Sequence, residues 1–278
     1  MAAQSLLAVL KKHAADFHPV VPFDRHRDKL YPFDFTERNT NLLPEEIADT
    51  ERFAAYINRT LHQHGARYGI GGYGEHRTLY ARSRHFDQPL GSESKSSGSE
   101  IQFPQAPPPG GEKAFRQPGS ESKPLGSEAA RTASGEAEPR RLHLGIDIWG
   151  SAGTKVMSPL DGIVHSYAFN NNDSDYGTTI ILTHNLDGST FHTLYGHLSL
   201  NSIKNLYEGK NISKGEVIAE FGMRFENGNW PSHLHFQLIY DMQGWKGDYP
   251  GVCRFSEKQQ WLDNCPNPDL ILQMEQAL

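Results

Sequence analysis

The chain has 278 residues, enough for one or two domains, and its 37% hydrophobic content with a mean hydropathy of −0.61 predicts that part of it packs into no core. Lysine and arginine total 27 against 33 acidic residues, and a net charge of −6 gives no reason to expect nucleic acid or an anionic membrane as partner. No stretch approaches the roughly twenty apolar residues needed to cross a bilayer, so no integral membrane segment is expected.

The start, Met1-Ala2-Ala3-Gln4-Ser5, has no basic n-region, and the apolar run Leu6 to Leu10 ends at Lys11-Lys12. The absence of a signal peptide predicts a cytoplasmic chain. Ser5 to Ala15 reads as a short amphipathic helix. A second helix is expected over Pro44 to His64: Pro44 suits the first position, Glu45-Glu46 suit the N-terminus, Ile47, Phe53, Tyr56, Ile57 and Leu61 recur at helical intervals, and Gly65 stops it. The glycine-rich run Tyr68 to Glu75 has no Lys-Ser or Lys-Thr after it and no GxGxxG spacing, which argues against phosphate binding and for strand entry or substrate contact. Arg77 to Arg82 reads as a strand that continues toward Phe86. Residues 1–86 are thus expected to form a small helical N-terminal region with a strand packed on the core.

Residues 87–140 differ in kind. Gly91-Ser92-Glu93-Ser94-Lys95 is echoed by Gly119-Ser120-Glu121-Ser122-Lys123, and Pro107-Pro108-Pro109-Gly110-Gly111 lies between. With so few apolar groups to offset ordering entropy, this segment is expected to be a disordered insertion into a hairpin between the strand near Arg77 and the strand carrying His143.

The chemistry concentrates after it. In His143-Leu144-Gly145-Ile146-Asp147, Leu144, Ile146 and Ile148 alternate with His143, Gly145 and Asp147, which predicts one strand with ligands on one face and apolar groups on the other. Gly145, on the ligand face, would leave room for a metal or a substrate backbone. Ser232-His233-Leu234-His235-Phe236 repeats the alternation, with Leu234, Phe236 and Leu238 on one parity and His233, His235 and Gln237 on the other. Tyr195-Gly196-His197-Leu198 lies between the two. His165, His184 and His192 read as structural.

The residues from about Arg141 to Tyr240 resemble the M23 family of zinc metallopeptidases of the lysostaphin and LytM type, whose motifs are HxxxD, an HL string after a strand, and HxH near the end of the domain. Ser158-Pro159, Asp161-Gly162, Tyr176-Gly177, His184 before Asp187-Gly188, and Ser213-Lys214-Gly215 fit the same pattern. The resemblance implies a mostly β fold with an antiparallel sheet or sandwich catalytic core at 141–243. It implies one Zn2+ ion held by His143, Asp147 and His235, with His197 and His233 as the catalytic pair. It also implies a peptide substrate, hydrolysis in peptidoglycan cross-links or stem peptides, and an exported or periplasmic address, at odds with the cytoplasmic reading of the first residues.

In chemical terms, zinc on two neutral imidazoles and a carboxylate keeps an open position and acidifies a bound water. His197 would take that water's proton and pass it to the leaving amine, while His233 would hydrogen-bond the oxyanion, although the two rings could exchange tasks. Because the ligands must be deprotonated, metal binding is expected to weaken on acidification through the histidine range. The alternatives are a zinc-free regulatory module of the same fold, a phosphocarrier with paired active histidines, and a hydrolase of a cytosolic peptide-like amide. HxxxD beside HxH favours metal.

Residues 244–278 form a C-terminal extension. Trp245, Tyr249, Phe255 and Trp261 are expected to seal a small core rather than to form a substrate platform, and Cys253 and Cys265, which lack the CxxC spacing of a zinc site, are expected to be free thiols, or a bridge if the chain is exported.

Overall fold

The computed structural model of the chain describes residues 2–88 and 138–278, so nearly all of the 87–140 insertion lies outside the described residues. Its elements run α1 (Ala2–Lys12), β1 (Leu30–Phe33), α2 (Pro44–Ala48), α3 (Thr50–His64), β2 (Tyr68–Gly71), β3 (Arg140–His143), β4 (Ile146–Trp149), β5 (Lys155–Met157), β6 (Gly162–Asn170), β7 (Gly177–Leu186), β8 (Ser189–Leu198), β9 (Asn211–Ile212), β10 (Val217–Glu220), β11 (His233–Ile239), β12 (Val252–Arg254), α4 (Lys258–Asn264) and α5 (Asp269–Leu272). None of the helices among the described residues is long and apolar enough to cross a membrane.

The protein is mostly β. Eight strands form one sheet in the order β1-β2-β4-β11-β8-β7-β6-β9. All neighbours in it are antiparallel except β1 and β2, which the helices α2 and α3 join as a parallel pair. The N-terminal region therefore extends the sheet by two strands on the side of β4. Two small antiparallel ribbons, β5 with β10 and β3 with β12, complete the strands. Leu234, Phe236 and Leu238 of β11 pack with Ile146, Ile148, Ile180 and Leu182 in one core, leaving His233, His235 and Gln237 on the opposite face.

Several expectations are corrected. The first helix begins and ends earlier than Ser5 to Ala15, and a 3-10 turn at Ala14–Asp16 follows it. The Pro44 to His64 helix is two helices, broken at Asp49, whose extended backbone lets its carboxylate accept from the amides of Glu51 and Arg52. A residue that caps so well competes with helix continuation. Gly65 ends α3 in the left-handed region, as expected.

Arg77 to Arg82 is not a strand. Strand-like pairing ends at Arg77, whose amide bonds to the Arg141 carbonyl, just as the His143 amide bonds to that of Glu75. Thr78–Arg82 and Arg84–Asp87 are 3-10 turns. Leu79 and Tyr80 are neighbours in sequence and both buried, a demand that period-two alternation cannot meet on a half-exposed strand.

The strand expected through 143–148 breaks at Leu144-Gly145, where the Leu144 amide turns to the Gly251 carbonyl. Leu144 joins a cluster with Tyr176, Tyr249 and Trp261 while Ile146 and Ile148 join the main core, so the three apolar residues share no single face. In the C-terminal segment Tyr249 and Trp261 are buried and Trp245 packs beside them, whereas Phe255 is 48% exposed under the Lys258 ammonium and seals nothing. Cys253 and Cys265 are buried free thiols.

Candidate metal centre

The neighbouring strands β4 and β11 place Asp147 directly opposite His235, and the kink between β3 and β4 swings His143 over both. His143 Nε2 stands 2.9 Å from His235 Nδ1 and 3.3 Å from Asp147 Oδ1, and His235 Nδ1 stands 3.1 Å from Asp147 Oδ1. Donors arranged tetrahedrally about zinc at its usual bond lengths lie about 3.4 Å apart, so this triangle needs little adjustment to take the ion. Two imidazoles and one carboxylate also suit zinc chemically. The donor set fits.

Each donor is held from behind. His143 Nδ1 donates to the Gly72 carbonyl at 3.0 Å, which leaves the Nε2 lone pair facing the triangle. His235 Nε2 donates to Gln237 Oε1 at 2.9 Å and lies 3.3 Å from the Tyr176 hydroxyl, leaving Nδ1 to face inward. The Gln237 amide is itself oriented, since its nitrogen donates to the Pro250 carbonyl and to Cys265 Sγ. Asp147 Oδ2 accepts from Arg77 Nη1 at 2.5 Å.

Gly145 lies beneath this arrangement for a reason other than the expected one. A Cβ there would stand 2.5 Å from His235 Cε1 and 2.8 Å from the Phe236 carbonyl oxygen. The ring of His235, rather than a substrate backbone, uses the space that glycine leaves.

His197 and His233 stand beside the triangle, their ring centroids 4.1 Å apart. His233 stacks on Trp149, donates from Nδ1 to the Pro231 carbonyl, and has Nε2 4.0 Å from Asp147 Oδ1. His197 donates from Nδ1 to the Asn227 carbonyl at 2.8 Å. Both rings therefore present an unprotonated Nε2. His197 has a positive φ of 62°, a backbone state costing about 1–3 kcal/mol outside glycine, and is held there by bonds to Tyr176 and Gly222.

All five residues are at most 6% exposed. Burial, with the Arg77 charge adding to it, pushes His143 down to about 3, and burial pushes His233 down to about 4. His197 is likewise driven well below the ordinary histidine range by burial and by its histidine neighbours. Burial alone would raise the Asp147 carboxyl, but the adjacent His143 and the permanent charge of Arg77 hold it well below the usual carboxylate range.

The sequence reading brought forward all five of these residues and missed their supports. Gln237 had a signal, since it continues the period of His233 and His235. Arg77 and Gly72 had none, because nothing local shows that they fold back on a motif about seventy residues away. His184 is structural, bonded to the Asp161 carbonyl and to Thr193 Oγ1. His165 and His192 meet edge to face at 5.2 Å.

Fold and site together define a mostly β protein with a buried His-Asp-His donor set suited to a metal ion. The model of peptidase family M23 matches residues 141–247 of the chain. It is 31% identical over 117 residues to an uncharacterized metalloprotease of Haemophilus influenzae, a match covering 42% of this chain and 22% of that protein. It is 34% identical over 97 residues to the DD-carboxypeptidase/endopeptidase Mpg of Neisseria meningitidis serogroup B, covering 35% of this chain and 20% of the relative. The chain thus spans about a fifth of the length of these curated relatives. Among solved structures, a zinc-containing peptidase from Vibrio cholerae shares 24% identity at a TM-score of 0.29, covering 40% of this chain and 32% of that one.

Proposed function

We propose that the protein is a zinc-dependent metalloendopeptidase, and the observation that carries this reading is the triangle of His143 Nε2, Asp147 Oδ1 and His235 Nδ1 with two unprotonated histidine nitrogens beside it. His143, Asp147 and His235 would hold one zinc ion. When bound, the ion acidifies a water and polarises the scissile carbonyl. His197 Nε2 accepts the proton released by the attacking water and returns it to the leaving amine. His233 Nε2 is an acceptor in its neutral form, so its hydrogen bond to the oxyanion requires that this ring be protonated during turnover. The shared burial of the two rings excludes bulk water and keeps both in the basic form before attack.

We assign peptide bonds in peptidoglycan cross-links or stem peptides as the substrate, by family likeness and by the DD-carboxypeptidase/endopeptidase activity for which the Neisseria relative is named. The rings of Tyr80, Trp230 and Tyr176 lie against those of His143, His197 and His235 respectively.

The test is metal analysis of the wild-type protein beside His235→Ala and His197→Ala, with mass spectrometry of purified murein and of a peptide pool after incubation. The wild type is expected to hold zinc and release murein fragments. His235→Ala should lose the metal, whereas His197→Ala should keep it and lose roughly 10²–10⁴-fold in kcat. A wild type that binds no zinc overturns the reading, and cleavage of the peptide pool alone moves the substrate to a cytosolic peptide.

A further inference from the structure

We infer that Arg77, which lies outside the M23 segment in sequence, is a positioning residue of the metal centre that holds Asp147 as a one-oxygen donor. The inference rests on the zinc reading of the His143, Asp147 and His235 site.

Arg77 is wholly buried, and every nitrogen of its guanidinium is engaged. Nε donates to Glu75 Oε2 at 2.7 Å, Nη2 to the Gly72 carbonyl at 3.1 Å, and Nη1 both to Asp147 Oδ2 at 2.5 Å and to the Tyr80 hydroxyl at 3.3 Å. Glu75 is fixed in turn by accepting the Phe35 amide. The glycine at 71 is part of the same arrangement: a Cβ there would lie 2.8 Å from Arg77 Nη2 and would press the guanidinium from its place.

The consequence concerns the second oxygen of Asp147. A carboxylate with both oxygens free can chelate a cation through both, which raises the coordination number and takes up the position a water needs. Here Oδ2 accepts from Arg77 Nη1 while Oδ1 faces the two imidazoles, so one oxygen remains for the ion and a fourth position stays open. Burying an ion pair is a poor way to gain stability, since apolar replacements are often as stable or more so. Its location, on a prospective ligand rather than elsewhere in the core, assigns it to the metal. The Gly72 carbonyl accepts from both Arg77 and His143, so one short turn of the N-terminal region orients two of the three donors.

The experiment compares wild type, Arg77→Lys and Arg77→Met by zinc competition against a chromophoric chelator, by the visible spectrum of the cobalt(II)-substituted protein, and by thermal melting of the metal-free form. Arg77→Lys keeps a charge but not the planar guanidinium that reaches Glu75, Gly72 and Asp147 together, and Arg77→Met supplies an apolar filler should lysine fail to fold. Expected are folded variants with zinc affinity lowered roughly 10–100-fold and a cobalt spectrum shifted toward higher coordination. A folded variant with wild-type affinity and an unchanged cobalt spectrum overturns the inference while leaving the zinc reading intact. Absence of zinc binding by the wild type removes the zinc reading itself.

Discussion

His235 Nε2 and Gln237 Oε1 lie 2.9 Å apart on the same strand face, and this contact decides which nitrogen of His235 turns toward Asp147. The amide of Gln237 cannot rotate to offer its nitrogen instead, because that nitrogen already serves the Pro250 carbonyl and Cys265 Sγ. Replacing Gln237 with leucine keeps the volume and removes the acceptor. Zinc affinity is expected to fall roughly 10–100-fold, and the unpaired buried group should cost about 1–3 kcal/mol of stability. Chelator competition and chemical denaturation measure the two effects, and an affinity equal to wild type would show that the ring needs no such partner.

Gly145→Ala is expected to displace the same ring from beneath. The added Cβ would meet His235 Cε1 at 2.5 Å and the Phe236 carbonyl oxygen at 2.8 Å, and backbone on one side leaves little room to give. Overpacking of this kind costs about 1–3 kcal/mol. The predicted outcome is a lower melting temperature for the metal-free protein together with weaker zinc binding. A variant that binds zinc as tightly as wild type would mean that the ring relaxes without loss.

Acid stability has a source outside the metal centre. Burial, reinforced by neighbouring His192, pushes His184 from its ordinary 6.5 down to about 4 despite its bond to the Asp161 carbonyl. Between those values the unfolded chain holds a proton that the folded chain refuses, so stability is complete above about 6.5 and falls as the pH drops toward 4. At pH 5 this one ring should account for about 2 kcal/mol. Denaturation of chelator-treated protein at pH 7 and pH 5 is expected to show the loss, and His184→Gln should show a shallower one. Equal slopes for the two proteins would assign the effect to other groups.

The thiols supply a probe of the C-terminal packing. Cys253 and Cys265 are fully buried, and burial pushes the Cys265 thiol up to about 12. Neither should react with a thiol reagent in native protein at neutral pH, and both should be released on denaturation. Rapid labelling of the folded protein at Cys265 would contradict the seating of Gln237 described above.

Much of the candidate site was legible in the chain itself, because a strand imposes a period of two on whatever it presents. His233, His235 and Gln237 alternate with Leu234, Phe236 and Leu238, and that local rule holds along the whole of β11. The same rule failed across His143 to Ile148, where the backbone turns at Leu144-Gly145 and hands its residues to different clusters. It failed again after Arg77, where two adjacent side chains are both needed inside.

Residue type, spacing and the resemblance they carry thus picked out groups that the fold brings together, since ligand identity is a property of the side chain. What only the tertiary structure decided is how each group is oriented. The nitrogen that faces inward on His143 depends on a carbonyl at Gly72, and the oxygen that faces inward on Asp147 depends on a guanidinium at Arg77. Those partners are remote in sequence and carry no periodic mark, because a hydrogen bond depends on where two atoms meet rather than on the pattern around either one.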